Sequence, residues 1–206
     1  CASRGAQVVA EIIDVTDEAA MHAWIIRHDD SVPFDLVIAN AGVSADTSNK
    51  SNDVEKIKTL NDTNIYGVLN TINPIMTRMR KRHSGQIALM SSLAAFRGMP
   101  GAVAYSSSKA WVKSYGEALR GLLSKEGIGV SVICPGFVAS RITDHNRFKM
   151  PMFMKADRAA KIIIRGLVRN RGRIAFPFPM YVLARALAAL PSPISDRLLS
   201  RLPSKE

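Results

Sequence analysis

The sequence has little cysteine and no long apolar run. Its 206 residues include two cysteines, Cys1 and Cys134. They form neither a disulfide framework nor a metal-binding pattern, which fits a reducing compartment and predicts a cytoplasmic protein without a metal site. No stretch of about 18 apolar residues predicts a membrane span, and the first residues show no signal-peptide pattern.

Aromatic residues are also scarce, at 6%, whereas basic residues outnumber acidic ones by 28 to 17. The resulting net charge of +11 is compatible with a nucleic acid, an acidic membrane surface or an anionic ligand as partner. Because no aromatic residues interleave with the basic clusters, we do not expect a nucleic-acid surface. Most of these charges are interpreted as solvated helix faces.

With 47% hydrophobic residues, the chain is expected to fold, and apolar strand-like runs alternate with helical patterns along it. We predict strands at Val8–Ile13, Asp35–Ala39, Gln86–Met90, Val130–Cys134 and Arg173–Phe176. We predict helices at about 17–29, 52–82, 105–126 and 157–170. This alternation predicts an α/β fold, a doubly wound parallel sheet with helices on both faces. No repeat or linker divides the chain, so residues 1–206 are predicted to form a single domain.

Tyr105 and Lys109 are four residues apart, so on a helix their side chains lie on one face. A tyrosine has a pKa of about 10, too high for a base at neutral pH. A neighbouring ammonium group favours the phenolate and lowers that pKa. The pair therefore predicts an acid/base group for an alkoxide or alcohol. Taken alone, it would be interpreted as an ordinary pair on a helix surface.

Small or polar residues follow the predicted strands. Asn40-Ala41-Gly42 follows the second strand, Ser92 the third and Pro135-Gly136 the fourth, while Asn64 lies on the long helical stretch between. Ligands bind at the carboxyl ends of strands in open α/β sheets. We therefore expect these residues to border one site, in which the Ser92 hydroxyl holds a substrate oxygen.

The motifs follow one order along the chain: Asp14-Val15, Asn40-Ala41-Gly42, Asn64, Ser91-Ser92, Tyr105-Ser106-Ser107-Ser108-Lys109 and Pro135-Gly136. This set, with its spacings, covers roughly residues 1–175 and resembles the classical short-chain dehydrogenase/reductases. The resemblance implies a three-layer Rossmann-type fold. It also implies an NAD(P)-dependent oxidoreductase that transfers hydride between nicotinamide and a carbonyl or alcohol.

The resemblance further implies the roles of four catalytic residues. Tyr105 would be the acid/base, and Lys109 would bind the nicotinamide ribose and lower the pKa of Tyr105. Ser92 would orient and stabilise the substrate oxygen. Asn64 would hold a water in a proton relay that leads past Lys109 to solvent.

The cofactor site follows from the same resemblance. Asp14 would accept a hydrogen bond from the adenine amino group, with the Val15 backbone beside it. The ribose and nicotinamide would be bordered by Asn40, Ala41, Gly42, Tyr105, Lys109, Pro135, Gly136 and Ser140. Ser140 stands where many members have threonine, and it keeps the hydroxyl. The cofactor is NADP or NAD, and the basic balance favours NADP.

The family's glycine-rich phosphate turn does not occur before Asp14. Its glycines let the backbone approach a pyrophosphate at a helix N-terminus. We therefore expect the native protein to be longer, because two central strands of the sheet would precede Val8–Ile13. Without them, Val8–Ile13 would lack its neighbour and Asp35–Ala39 would have an unpaired edge.

Residues 137–158 are expected to form a lid over the substrate. This segment is rich in large apolar side chains: Phe137, Val138, Ile142, Phe148, Met150, Met152, Phe153 and Met154. They predict a lipophilic substrate, because methionines adapt to irregular apolar shapes. The alternative is that they only pack beneath the lid.

Residues 178–206 are expected to form a helical tail that packs on protein, with contact to a membrane surface as the alternative. The resemblance implies a homodimer or homotetramer. Two alternatives to the enzyme remain: a binding protein that has kept the fold without turnover, and a truncated product without cofactor. A retired enzyme would be free to lose its catalytic residues, and this chain has all four.

Overall fold

The computed structural model describes residues 2–44, 54–144 and 150–200. Four strands form one parallel sheet in the order in which they occur along the chain: β1 (Leu36–Ala39), β2 (Gly85–Met90), β3 (Ile128–Pro135) and β4 (Arg173–Phe176). Four of the five predicted strands are therefore confirmed. The predicted lid residue Phe148 lies outside the described residues.

Eight α-helices of the described chain surround this sheet: α1 (Glu18–Ser31), α2 (Val54–Asn61), α3 (Gly67–Arg82), α4 (Val103–Leu123), α5 (Arg141–Asp144), α6 (Ala156–Val168), α7 (Phe178–Ala189) and α8 (Ser192–Leu199). The helix predicted over 52–82 is not one uniform α-helix, because a π-helical turn at Asp62–Tyr66 lies between α2 and α3. Gly127 ends the α4 region with a φ of 78°, a left-handed conformation that suits glycine.

The sheet separates two apolar clusters, as the three-layer prediction requires. Ile87 and Leu89 of β2 pack in the cluster that contains α3 and α4, whereas Ala88 packs in the cluster that contains α6. Alternate side chains of a strand point to opposite faces, so β2 is covered on both sides. In the described part of the chain, no helix is both long and apolar enough to cross a membrane.

The predicted strand at Val8–Ile13 is wrong. The segment has no regular structure, and Val8 and Val9 are more than half exposed. An apolar run becomes a strand only where a neighbour completes the hydrogen-bond ladder. None of the described strands pairs with this segment, and β1 pairs only with β2. As expected for an unpaired edge, Leu36 and Ile38 of β1 remain partly exposed.

A buried carboxylate connects α1 to α3. Asp29 is 2% exposed and accepts hydrogen bonds from the Phe34 amide at 2.8 Å and from the Arg82 guanidinium at 3.0 Å; Arg78 also donates to it. Burial raises the pKa of Asp29, but the Phe34 amide and the two arginines outweigh it and lower that pKa overall. The cluster fixes the α1–α3 angle through charged hydrogen bonds.

The tail helices are attached at a few points. The Tyr181 ring of α7 meets Phe96 edge-on at 5.5 Å, and Arg97 donates to Asp196 of α8 at 2.7 Å. The rest of α7 is open, with Phe178 and Leu183 about 70% exposed. The described part of the tail contains the two helices α7 and α8, and the apolar outer face of α7 has no cover among the described residues.

Candidate active site

A cavity of about 460 Å³ opens at the carboxyl ends of the strands. That volume lies within the range of small-molecule sites. Nine of the predicted site residues line it: Asn40, Ala41, Gly42, Ser92, Tyr105, Lys109, Pro135, Gly136 and Ser140. Asn64 lies immediately behind the wall, whereas Asp14 and Val15 lie outside the cavity.

The side chains of Tyr105 and Ser92 both line this cavity. Ser92 follows β2 by two residues and caps the short 3₁₀ turn Leu93–Ala95, where its Oγ accepts from the Ala94 amide at 3.1 Å. Tyr105 lies in the first turn of α4. Burial raises the pKa of Tyr105, and the nearby Ser92 hydroxyl offsets part of that rise.

Lys109 lies one turn further along α4 and is 3% exposed. Its Nζ donates to the Met90 carbonyl at 3.0 Å and lies 5.9 Å from the centre of the Tyr105 ring. Burial lowers the pKa of Lys109 to about 8. The expectation that Lys109 lowers the pKa of Tyr105 is therefore not met, because burial dominates both groups and the ammonium is directed at a carbonyl.

Asn64 is completely buried in the π-helical turn. Its side chain bonds both polar groups of the Val43 backbone, accepting from the amide at 2.8 Å and donating to the carbonyl at 2.9 Å. It also donates to Ser108 Oγ of α4 at 3.0 Å. Asn64 thus connects the loop after β1 to α4, behind the catalytic groups.

Gly42 lies against both Asn64 and Lys109. A Cβ at this position would be 3.0 Å from Lys109 Nζ and 3.2 Å from Asn64 Oδ1. These contacts are tight, so the absent side chain leaves a narrow space beside an ammonium and an amide oxygen. Such a space accepts a slender polar group such as a ribose hydroxyl.

The opposite wall comes from the end of β3. Pro135 pairs with Phe176 of β4, and the Gly136 amide donates to the Phe176 carbonyl at 2.7 Å. Ser140 immediately precedes α5, and its amide donates to Thr143 Oγ1 at 2.9 Å. These bonds give the wall a fixed backbone.

Asp14 and Val15 occupy a separate place at the start of α1. Asp14 Oδ1 accepts from the Thr16 amide at 2.9 Å and from its hydroxyl at 2.8 Å, which lowers the pKa of Asp14. Val15 packs on Gly67, where a Cβ would come within 2.6 Å of Val15 Cγ2. The segment is thus held against α3.

Sequence reasoning missed part of the wall. Helix α6 contributes apolar and mostly small residues to the cavity: Ala156, Ala159, Ala160 and Ile163. Helix α5 adds the charged Arg141 and the polar Thr143. Alanines at a spacing of three and four residues carry no chemical signal. Arg141 directly follows Ser140, and that proximity could have identified it.

The predicted lid is only partly an apolar wall. Val138 and Ile142 line the cavity, but Met154 is buried with the sheet residues and forms an isolated parallel bridge with Val138. Met152 and Phe153 are about half exposed. Within residues 2–44, 54–144 and 150–200, no cluster of three His, Cys, Asp or Glu side chains could hold a metal ion.

Comparison with known proteins places this arrangement in a family. Residues 1–150 match the family model described as short chain dehydrogenase. An uncharacterized oxidoreductase of Myxococcus xanthus is 39% identical over 169 residues, which cover 82% of this chain and 67% of that protein. An uncharacterized oxidoreductase of Mycobacterium tuberculosis is 32% identical over 192 residues, covering 92% and 75% of the two chains.

The fold is shared with solved structures. A short-chain dehydrogenase from Sphingobium yanoikuyae in complex with NADPH superposes with a TM-score of 0.80. The match covers all of this chain and 80% of that one, at 22% sequence identity. The doubly wound α/β prediction is thereby confirmed.

Proposed function

The chain belongs to the short-chain dehydrogenase family, and we propose that it is an NADP(H)-dependent reductase that converts a carbonyl group to an alcohol. The observation that carries the proposal is that Tyr105, Ser92 and Lys109 line one cavity at the carboxyl ends of the strands. NADP(H), when bound, supplies or accepts the hydride.

The protein's part in this reaction is to bind and protonate an oxygen atom. The raised pKa of Tyr105 keeps its hydroxyl protonated at neutral pH, which is the form that donates a proton to a carbonyl oxygen. Ser92 donates a hydrogen bond to the same oxygen and stabilises the charge that develops on it. At neutral pH the Tyr105 hydroxyl therefore carries the proton that reduction of a carbonyl group requires.

Lys109 and Asn64 support this chemistry from behind. The Lys109 ammonium would bind ribose hydroxyls at the narrow space beside Gly42, and its pKa of about 8 allows it to pass a proton on. Asn64 holds the Val43 backbone in place with two hydrogen bonds and donates a third to Ser108 of α4. The water relay expected at Asn64 remains a proposal.

The residues present fit an NADP(H) molecule whose two ends lie at two separate places on the protein. The nicotinamide end would lie among Gly42, Pro135 and Gly136, with Ser140 near its carboxamide. The adenine end would lie outside the cavity, where Asp14 and Val15 are held against α3. The positive net charge of the chain and the NADPH bound to the Sphingobium protein support NADP(H) over NAD(H).

A lipophilic substrate is supported by the wall opposite the catalytic groups. Val138, Ile142, Ala160 and Ile163 line that side of the cavity. Burial of apolar substrate surface contributes about 25 cal/mol per Å². We expect the catalytic efficiency to rise with the length of an alkyl ketone until the cavity is filled.

The chain is taken as one domain with residues 137–158 as lid. Two further proposals concern its assembly and its location.

Helix α4 keeps Val103 and Leu122 more than half exposed, which supports pairing of copies through α3 and α4 as a homodimer or homotetramer. Light scattering of the purified protein tests this assembly. The scarcity of cysteine supports a cytoplasmic location.

The function is tested by replacing Tyr105 with phenylalanine. The variant Tyr105→Phe lacks the transferable proton, so its turnover should fall by at least about 1000-fold, the scale of acid/base catalysis. NADPH affinity, measured by the fluorescence of the bound cofactor, should stay within about twofold, because the lost hydroxyl acts on the substrate oxygen. A tenfold change in the dissociation constant would require a loss of about 1.4 kcal/mol of binding free energy.

Ser107→Ala is the matched control, because Ser107 lies in the same turn of α4 but bonds only the Ala104 carbonyl. It should keep both turnover and affinity. Failure of the wild type to bind NADPH or NADH would reject the enzyme in favour of a binding protein that has kept only the fold. Unchanged turnover in Tyr105→Phe would contradict the assigned role.

A further inference from the structure

One arginine lines the cavity without a partner. Arg141, the first residue of α5, is exposed at the cavity and makes no hydrogen bond or ion pair in the described structure. By contrast, Arg97, Arg120 and Arg173 near the same strands are each engaged by carboxylate, carbonyl or amide oxygens. The Arg141 guanidinium therefore has all its donors available to a ligand.

The charge of the cavity is one-sided. Of the described residues that line it, Lys109 and Arg141 are cations and none is aspartate or glutamate. Lys109 is buried and already donates to the Met90 carbonyl at 3.0 Å. Arg141 is consequently the cation that can meet an incoming charge at the mouth of the cavity.

The backbone that carries Arg141 is well anchored. Thr143 Oγ1 accepts from the Ser140 amide at 2.9 Å and lies 2.9 Å from the Val138 carbonyl, to which it donates. Asp144, three residues after Arg141, makes no ion pair with it in the described structure. A fixed backbone with a free guanidinium suits a bidentate contact to a planar or tetrahedral anion.

We propose that Arg141 binds an anionic oxygen group inside the cavity, either a phosphate of the cofactor or a carboxylate or phosphate on the substrate. The proposal rests on the proposed function insofar as it takes the cavity to be the cofactor and substrate site. Arg141 is then a specificity-determining residue: the apolar wall receives the body of the ligand and the guanidinium receives its charged end.

The experiment compares Arg141→Gln and Arg141→Lys with Arg158→Gln. Arg158 is an exposed arginine of α6 that does not line the cavity, so its variant removes the same charge nearby. A lost hydrogen-bonded charge pair should weaken binding by about 10- to 100-fold in Arg141→Gln. Arg141→Lys should lose less, and Arg158→Gln should stay within about twofold of wild type.

Two measurements distinguish the sources of the anion. If the group is a cofactor phosphate, the dissociation constant for NADPH rises in Arg141→Gln while the preference for an oxo-carboxylate over its methyl ester is unchanged. If the group is on the substrate, NADPH affinity is unchanged and that preference falls. The proposal is overturned if neither quantity moves, or if Arg158→Gln changes them equally.

Binding of inorganic pyrophosphate, measured by calorimetry, separates this proposal from the proposed function. Wild type that binds pyrophosphate more tightly than Arg141→Gln supports the anion site even in a chain without turnover. The anion site is overturned if wild type and Arg141→Gln bind pyrophosphate equally or not at all and the substrate preference is also unchanged. Normal turnover in the same proteins would still support the proposed reductase.

Discussion

Burial favours the neutral form of both Tyr105 and Lys109, two titratable groups that line the cavity. It raises the pKa of Tyr105 and lowers that of Lys109 to about 8, so both neutral forms are favoured. The Tyr105 proton is thereby retained, while Lys109 changes its charge within an accessible pH range. At the scale of single residues, the site is therefore sensitive to mildly alkaline pH.

The pH dependence of stability should show this sensitivity in the cofactor-free protein. Between pH 8 and the ordinary lysine pKa of 10.5, the unfolded chain keeps the Lys109 proton and the folded protein releases it. Stability therefore rises with pH in this window, by up to about 3 kcal/mol from this residue. Below pH 8 the cost of burying the ammonium is fully present.

The measurement is urea unfolding of wild type and Lys109→Met across that window. Because methionine does not titrate, the variant should lack the rise, and the difference between the two profiles isolates Lys109. Cys134, whose pKa burial raises to about 11, titrates equally in both proteins. Parallel profiles would show that Lys109 keeps an ordinary pKa.

At the scale of elements, the seating of α4 on the sheet positions Tyr105 and Lys109. Gly116 lies where this helix touches β2 and β3, and a Cβ there would come within 2.6 Å of Val132 Cγ2 and 2.7 Å of Leu89 Cδ1. Both side chains are completely buried. The helix therefore approaches the sheet to a distance that only glycine permits.

Two alanine substitutions in this helix should have opposite effects. Gly116→Ala should destabilise the protein by about 1–3 kcal/mol, because the buried neighbours have no space to move. Gly121→Ala should stabilise it by about 0.5–1 kcal/mol, because nothing lies within 4 Å of its Cβ and alanine favours the helix. Chemical denaturation measures both, and equal effects would contradict the close approach.

Elements differed in how far the sequence predicted them. The helix of Tyr105 and the strands β2 and β3 were recognisable because motif spacing and buried apolar runs agree. Val8–Ile13 has the same apolar character, but strand formation depends on a neighbour that the local pattern does not reveal. The contribution of Ala156 and Ala160 to the cavity was equally invisible, since it depends on how α6 packs.

The sequence predicted which residues form the site better than it predicted their pKa values. Motif order placed Tyr105, Lys109 and Ser92 together, and the structure brings all three to one cavity. The direction of the Tyr105 pKa shift was wrong, because spacing along a helix does not report burial or show that Lys109 is bound to Met90. Asn64 was identified, but its contacts with the Val43 backbone required the fold.

For the whole molecule, the dominant electrostatic property is the net charge of +11. An anionic cofactor is attracted to such a surface before it makes any specific contact. The association rate constant for NADPH should therefore fall several-fold when ionic strength rises from about 0.05 M to about 0.5 M. Its dissociation rate constant should change far less.

Stopped-flow fluorescence at several salt concentrations separates the two rates. Arg158→Gln, which lowers the net charge by one, should reduce the salt dependence slightly and leave the dissociation rate unchanged. An association rate that is independent of salt would show that local contacts alone, and not the field of the whole chain, guide the cofactor.

The bridge between Val138 and Met154 has a consequence for divergence among related proteins. The bridge joins the two residues that flank residues 139–153. Met154 is buried in the apolar cluster that also contains Ala88 of β2. Sequence changes and insertions between Val138 and Met154 leave the strands, Tyr105 and Ser92 untouched. Selection can therefore alter which molecules are accepted while the reaction itself is inherited unchanged.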